Sequence, residues 1–163
     1  MKVTVLPFEL KEEEIALLSA IPFQLQILEA EIVPPHAYNP HRGQYLAKTF
    51  LEVCGKKEGK VVLGVANVDL YAQGLNFVFG EAELGGRCAV ISIYRLRSED
   101  RALFRARIQK EAVHEIGHVL GLRHCPNPLC VMHFSNSLHD TDIKAGWFCK
   151  RCSVLLPNIN ALE

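Results

Sequence analysis

The segment His114-Glu115-Ile116-Gly117-His118-Val119-Leu120-Gly121-Leu122-Arg123-His124 constrains this chain more than any other stretch. Two histidines four apart on a helix project from one face, and a pair at that spacing can bind one zinc ion. The chain is therefore expected to run a helix through His114 and His118. Gly121 can take the left-handed conformation that ends a helix sharply. A reversal there brings His124 to the same ion. Three protein ligands leave a position open for water, as in catalytic rather than structural zinc sites. Glu115 can reach such a water without binding the metal. The expected chemistry is hydrolysis. The metal lowers the pKa of its water to near neutrality, Glu115 takes the proton as general base, and the metal stabilises the developing oxyanion.

Cys125, Cys130, Cys149 and Cys152 form a C-x4-C pair and a C-x2-C pair. Four thiolates at such spacings suit a closed tetrahedral zinc site. Ordinary thiols, disulfides in an oxidising compartment, or iron in place of zinc are the alternatives. His124 and Cys125 are adjacent, so a metal on the cysteines would pin the loop that presents the third histidine. Cys54 and Cys88 fall in an expected helix and strand and read as core.

A length of 163 residues points to one domain, with the sheet and active-site helix in residues 1–121 and the cysteine-rich part in 122–163. Lys plus Arg and Asp plus Glu number 18 each, a net charge of zero. A protein that grips nucleic acid through phosphates is usually basic, so no nucleic-acid partner is expected. The apolar runs fall short of the ~20 residues of a membrane span, so no membrane role is expected either. The opening MKVTVLPFEL reads as a strand rather than a secretory signal, and a cytoplasmic location follows as an expectation. Oligomeric state is open.

Lys2 to Leu6 alternates as a strand. Lys11 to Ala20 opens acidic and turns apolar, as a helix does. Gln24 to Val33 reads as a half-buried strand, and Arg42 to Cys54 as a helix stopped by Gly55. Lys60 to Val68 has the apolar run of a strand buried on both faces. Asn76 to Phe79 and Arg87 to Ile93 are two further strands. Ser98 is the expected cap of a helix running to about Leu120, and one more helix is expected from about Asp140 to Cys152. This order gives an α/β fold with a mixed, mostly parallel sheet.

The histidine motif, followed by Cys125, Cys130 and Met132 and then Cys149-Lys-Arg-Cys152, resembles the archaemetzincin family of the metzincin clan of zinc peptidases. The resemblance implies a compact metzincin-like domain with a twisted sheet, a backing helix, an active-site helix and a small Cys-rich zinc-bound part. It implies a peptide or protein substrate and two zinc ions. The catalytic ion falls to His114, His118 and His124, and the structural one to Cys125, Cys130, Cys149 and Cys152. Glu115 matches the general base and Met132 the methionine turn beneath the metal. Clan members bind extended substrates along an antiparallel edge strand, for which Asn76 to Gly80 is the candidate.

Two other classes compete: a zinc-dependent endoribonuclease with three histidines, and a zinc-binding protein without turnover. Tyr71 and Tyr94 are candidate oxyanion donors. Glu81 and Glu83 are candidate anchors for a substrate amine. Arg97, Arg101 and Arg105 read as a solvated face, with a carboxylate clamp as the alternative. His133 and His139 read as spare, on the surface or in the core, while His36 and His41 flank a Pro-rich loop and could lie anywhere.

Overall fold

The computed structural model describes residues 1–159; residues 160–163, the end of the expected domain, lie outside the described residues. The elements in chain order are β1 (Lys2–Phe8), α1 (Glu12–Leu17), β2 (Gln24–Ile27), β3 (Tyr38–Asn39), β4 (Gln44–Leu46), α2 (Ala47–Cys54), β5 (Val62–Ala66), β6 (Leu70–Tyr71), β7 (Gly80–Ala82), β8 (Cys88–Ser92), α3 (Arg101–Val119), α4 (Leu138–Ile143) and α5 (Lys150–Leu155).

The main sheet has the order β2-β1-β5-β8-β7. β2, β1, β5 and β8 are parallel, and β7 closes one edge antiparallel to β8. Strand alternation splits the core into two layers. Val3, Val5, Leu63, Val65, Ala89 and Ile91 pack with Phe104, Ile108, Ala112 and Ile116 of α3. Leu6, Phe8, Val62, Ala66, Cys88 and Val90 pack with Phe50, Leu51 and Cys54 of α2. Every residue of β5 is buried, as its uninterrupted apolar run requires. Cys54 and Cys88 are buried free thiols. Burial, with Cys88 beside it, pushes the Cys54 thiol up to about 12. A third cluster joins Val113 of α3 to Leu122, Val131, Met132, Phe148 and the cysteines.

Five local expectations are corrected. The Asn76 to Gly80 edge strand is displaced, because β7 starts at Gly80. The carbonyls of Leu75 and Asn76 accept hydrogen bonds from Arg42 and Gln44, so side chains from the turn before β4 and from β4 itself hold them instead of β8. The Arg42 to Cys54 segment is helical only from Ala47, since Gln44–Leu46 pairs with β6. The strand from Gln24 stops at Ile27 and is mostly exposed, as suits a sheet edge. The helix expected over residues 140–152 divides into α4 and α5. The intervening turn buries Lys144 and brings Cys149 to the start of α5. α3 is capped by Asp100, whose carboxylate accepts from Leu103 N at 3.2 Å, and Ser98 instead accepts from Asp100 N.

Candidate active site

α3 is 19 residues long, about 28 Å at 1.5 Å per residue. Its sheet-facing stripe is Phe104, Ile108, Ala112 and Ile116. A second face carries Glu111, His114, Glu115 and His118, at offsets of three and four that put them on one side. Gly117 lies on a third side of the helix with Val113, where Met132 fills the space its Cβ would take and Phe148 is 3.0 Å away. Gly121 then ends the helix at φ +96°. The backbone N–H of Leu122 bonds the Gly117 carbonyl at 2.9 Å as the chain reverses.

That reversal brings His124 to the other two histidines. The ring centroids of His118 and His124 are 4.8 Å apart, and those of His114 and His118 are 4.7 Å apart. His114 Nδ1 lies 2.7 Å from the Val131 carbonyl and His118 Nδ1 lies 2.7 Å from the Leu122 carbonyl. A carbonyl only accepts, so each Nδ1 must be the protonated nitrogen. Each Nε2 is left with a free lone pair. The two Nε2 atoms are 3.2 Å apart. Two nitrogens on one tetrahedral zinc at 2.0–2.1 Å would be separated by about 3.3 Å. All three histidines offer nitrogens within 4.8 Å of one another.

The electrostatics match. Burial pushes His114 well below the usual histidine range, and Lys144 and His118 act the same way. Burial also lowers His118 and His124, again with Lys144 in support. Neutral imidazole is the form that binds metal. Glu115 is pushed well above the ordinary carboxyl range by burial and then by Glu111, with Lys144 opposing. A bound dication would counter that rise. Glu115 sits against Gly80 of β7, where an added Cβ would meet its Oε1 at 2.9 Å. The edge strand is therefore one wall of the cleft and α3 is its floor.

The four cysteines gather beside the loop. Their thiols are free and within 4.8 Å of one another. The Cys125 and Cys149 sulfurs are 3.9 Å apart. That is far beyond the 2.03–2.05 Å of a disulfide, and close to the roughly 3.8 Å between two sulfurs at 2.3 Å on a tetrahedral zinc. Backbone N–H groups of Met132 and Cys149 donate to Cys130 Sγ at 3.4 and 3.3 Å. A bond from the Cys152 backbone, ahead of its other neighbours, brings the Cys149 thiol down to about 7. Both donor sets thus fit the ions expected of them. Cys125 N bonds the Met132 carbonyl at 3.0 Å, which ties the cysteine cluster to the turn under the histidines.

Sequence reasoning missed several residues of this site. Glu111 is buried, and its Oε1 accepts from Thr141 Oγ1 at 3.0 Å and lies 3.6 Å from Lys144 Nζ. Lys144 is fully buried and also donates to the His133 carbonyl. Arg107 fastens α3 to α4 through a two-point contact with Asp142 at 2.8 Å. Phe134, Ser135 and Asn136 line the cleft. Glu111 alone had a signal, its place three residues before His114.

Glu81 lines the cleft with His114 and Glu115, and its Oε2 is buried with no hydrogen-bond partner among the described residues. β7 alternation carries Ala82 to the α3 layer, and Glu81 pairs in register with Val90 of the α2 layer. Burial raises Glu81 and Lys48 of α2 opposes the rise. The remaining candidates fall away from the cleft. Glu83 accepts from the backbone of Arg87 and Cys88, which is a turn-closing role. Tyr71 accepts from Asn39 under the Arg42 guanidinium, and Tyr94 is exposed. Arg97 stacks near Phe104 and Arg105 bonds Ser19. His133 Nδ1 donates to the Cys125 carbonyl, and His36, His41 and His139 are exposed.

A reversed helix end that gathers three neutral imidazoles beside a buried carboxyl defines a metal-dependent hydrolase class. Comparison with known proteins narrows it. Residues 28–158 match peptidase family M54. An archaemetzincin from Pyrococcus abyssi is 54% identical over 127 residues, which cover 72% of this chain and 68% of that protein. The crystal structure of the Archaeoglobus fulgidus archaemetzincin superposes with a TM-score of 0.88 at 44% identity, covering 96% of this chain and all of that one. That of the Methanopyrus kandleri archaemetzincin gives 0.85 at 40% identity, covering 95% and 93%. The chain belongs to peptidase family M54, the archaemetzincins, and is a zinc metallopeptidase with the mixed α/β fold of that family. No helix among the described residues is long and apolar enough to cross a membrane.

Proposed function

We propose that residues 1–163 form one catalytic domain that hydrolyses peptide bonds at a zinc held by His114, His118 and His124, with Glu115 as general base. The observation that carries this is the pair of Nε2 atoms 3.2 Å apart, each freed by a carbonyl on its own Nδ1. When bound, the zinc supplies a Lewis acid that polarises a carbonyl and acidifies water. Glu115 accepts the proton and returns it to the leaving amine. Its burial keeps competing water away, and Gly80 leaves it room. A second zinc on Cys125, Cys130, Cys149 and Cys152 is structural and holds His124 in place. Met132, the methionine of the turn, packs against Gly117 of the helix that carries His114 and His118. The outer edge of β7 has no neighbouring strand among the described residues and offers its backbone to an extended substrate.

Family membership favours a peptide over the RNA of the endoribonuclease alternative. The test uses the zinc-loaded chain on quenched peptide libraries and on structured RNA. The expected outcome is peptide cleavage that Glu115→Ala abolishes while zinc content stays the same. Equal zinc binding with no turnover by the unsubstituted chain on any peptide would mark a zinc-binding protein instead.

A further inference from the structure

Two cavities flank the histidines and share Leu75, Val78, Gly80, His114, Glu115 and Phe134. The larger, of about 550 Å³, is bounded further by the apolar Ala72, Ala82 and Leu84 and by the charged Glu81 and Arg123. The smaller, of about 230 Å³, is bounded further by Glu111, Ser135 and Asn136. Its polar groups are specific. Ser135 Oγ is buried and has no hydrogen-bond partner among the described residues. Buried polar atoms in native proteins are normally paired, so an unpaired one at a cavity wall calls for a ligand or a water. Both contacts to the Glu111 carboxylate, from Thr141 and Lys144, fall on Oε1. Lys144 is itself fully buried, so its charge balances that of Glu111, which presents the pocket with an acceptor whose charge is already paired.

We infer that the smaller cavity is a specificity pocket for a substrate residue beside the scissile bond that carries a carboxamide, as asparagine and glutamine do. This rests on the peptidase reading above. The amide NH2 donates to Glu111 and the amide oxygen accepts from Ser135 Oγ–H. A cationic side chain gains little, because Lys144 already neutralises the carboxylate. An aliphatic one leaves both polar groups unpaired, and sites built to hydrogen-bond discriminate strongly against such analogues.

The test measures binding of peptide hydroxamates to the zinc-loaded full chain by calorimetry. The hydroxamates differ only in one side chain: asparagine, its isostere leucine, or lysine. The asparagine compound should bind at least about tenfold more tightly than the leucine compound. Ser135→Ala and Glu111→Gln should each remove most of that preference with zinc content unchanged. Ser135→Ala removes only an unpaired hydroxyl, so it decides the question by itself should Glu111→Gln, which leaves the buried Lys144 charge without its partner, fail to fold. Leucine binding as tightly as asparagine, lysine binding tightest, or a preference that survives both substitutions would overturn the pocket and leave the peptidase reading intact. Failure of every hydroxamate to bind a zinc-loaded chain would overturn both.

Discussion

The Val131 carbonyl lies 2.7 Å from His114 Nδ1, so the residue that fixes the first histidine's tautomer is the neighbour of Met132 in the turn beneath it. Val131 also donates its N–H to the Trp147 carbonyl, and Cys130 bonds through its sulfur to the N–H groups of Met132 and Cys149. The histidine site and the cysteine site are therefore one hydrogen-bonded unit. Replacing Cys149 and Cys152 by Ser is expected to weaken zinc binding at the histidines by roughly 10- to 100-fold, the usual effect of losing support to a metal ligand. Chelator competition on the zinc-loaded chain measures it. Unchanged affinity at the histidines would refute the coupling.

Gly117 has no room for a side chain, because Met132 fills the place of its Cβ and Phe148 lies at 3.0 Å. Gly117→Ala gains helix propensity but overpacks this contact. A net destabilisation of about 1–3 kcal/mol is expected, read as a lower thermal midpoint together with weaker zinc retention.

Lys144 and Glu111 form a buried pair, 0% and 3% exposed at their side chains. Lys144→Met leaves the Glu111 charge uncompensated and should cost about 3–5 kcal/mol. Adding Glu111→Leu to Lys144→Met should recover much of that loss. Chemical denaturation of the two variants checks both values.

Proton linkage gives opposite signs for Glu115 and His114 in the metal-free chain. The folded-state pKa of Glu115 is raised above 4.5, so folding favours its protonated form, and its contribution is lost as pH rises through the folded value. That of His114 is lowered below 6.5, so its contribution is lost as pH falls below 6.5 and the unfolded chain takes the proton. Glu115→Gln should therefore stabilise the metal-free chain increasingly as pH rises above 4.5. Denaturation midpoints at a series of pH values, with chelator present, test this. A benefit that shrinks with rising pH would contradict it.

The helix period made His114 and His118 legible from sequence, because residues four apart cannot avoid sharing a face. His124 was legible for a similar reason, since Gly121 permits the reversal the third ligand needs. β5 was legible because a strand buried on both faces has no polar position to spare. The edge strand was misplaced because the carbonyls of Leu75 and Asn76 are satisfied by Arg42 and Gln44. A long-range side-chain bond leaves no local pattern. The helix over 140–152 failed for the same kind of reason: Lys144 turns inward to meet Glu111, against the usual preference of lysine for the surface. Charge alone marks such a residue as solvated, and only the packed fold shows that it is not.

β7 is three residues long, or about 10 Å of strand. Backbone pairing along so short a rail can grip only a few residues of any chain laid beside it. Most discrimination must then come from what the side chains meet on either side of Glu115. Such a cleft is indifferent to how long the substrate is, and short peptides should be processed as readily as loops in unfolded proteins.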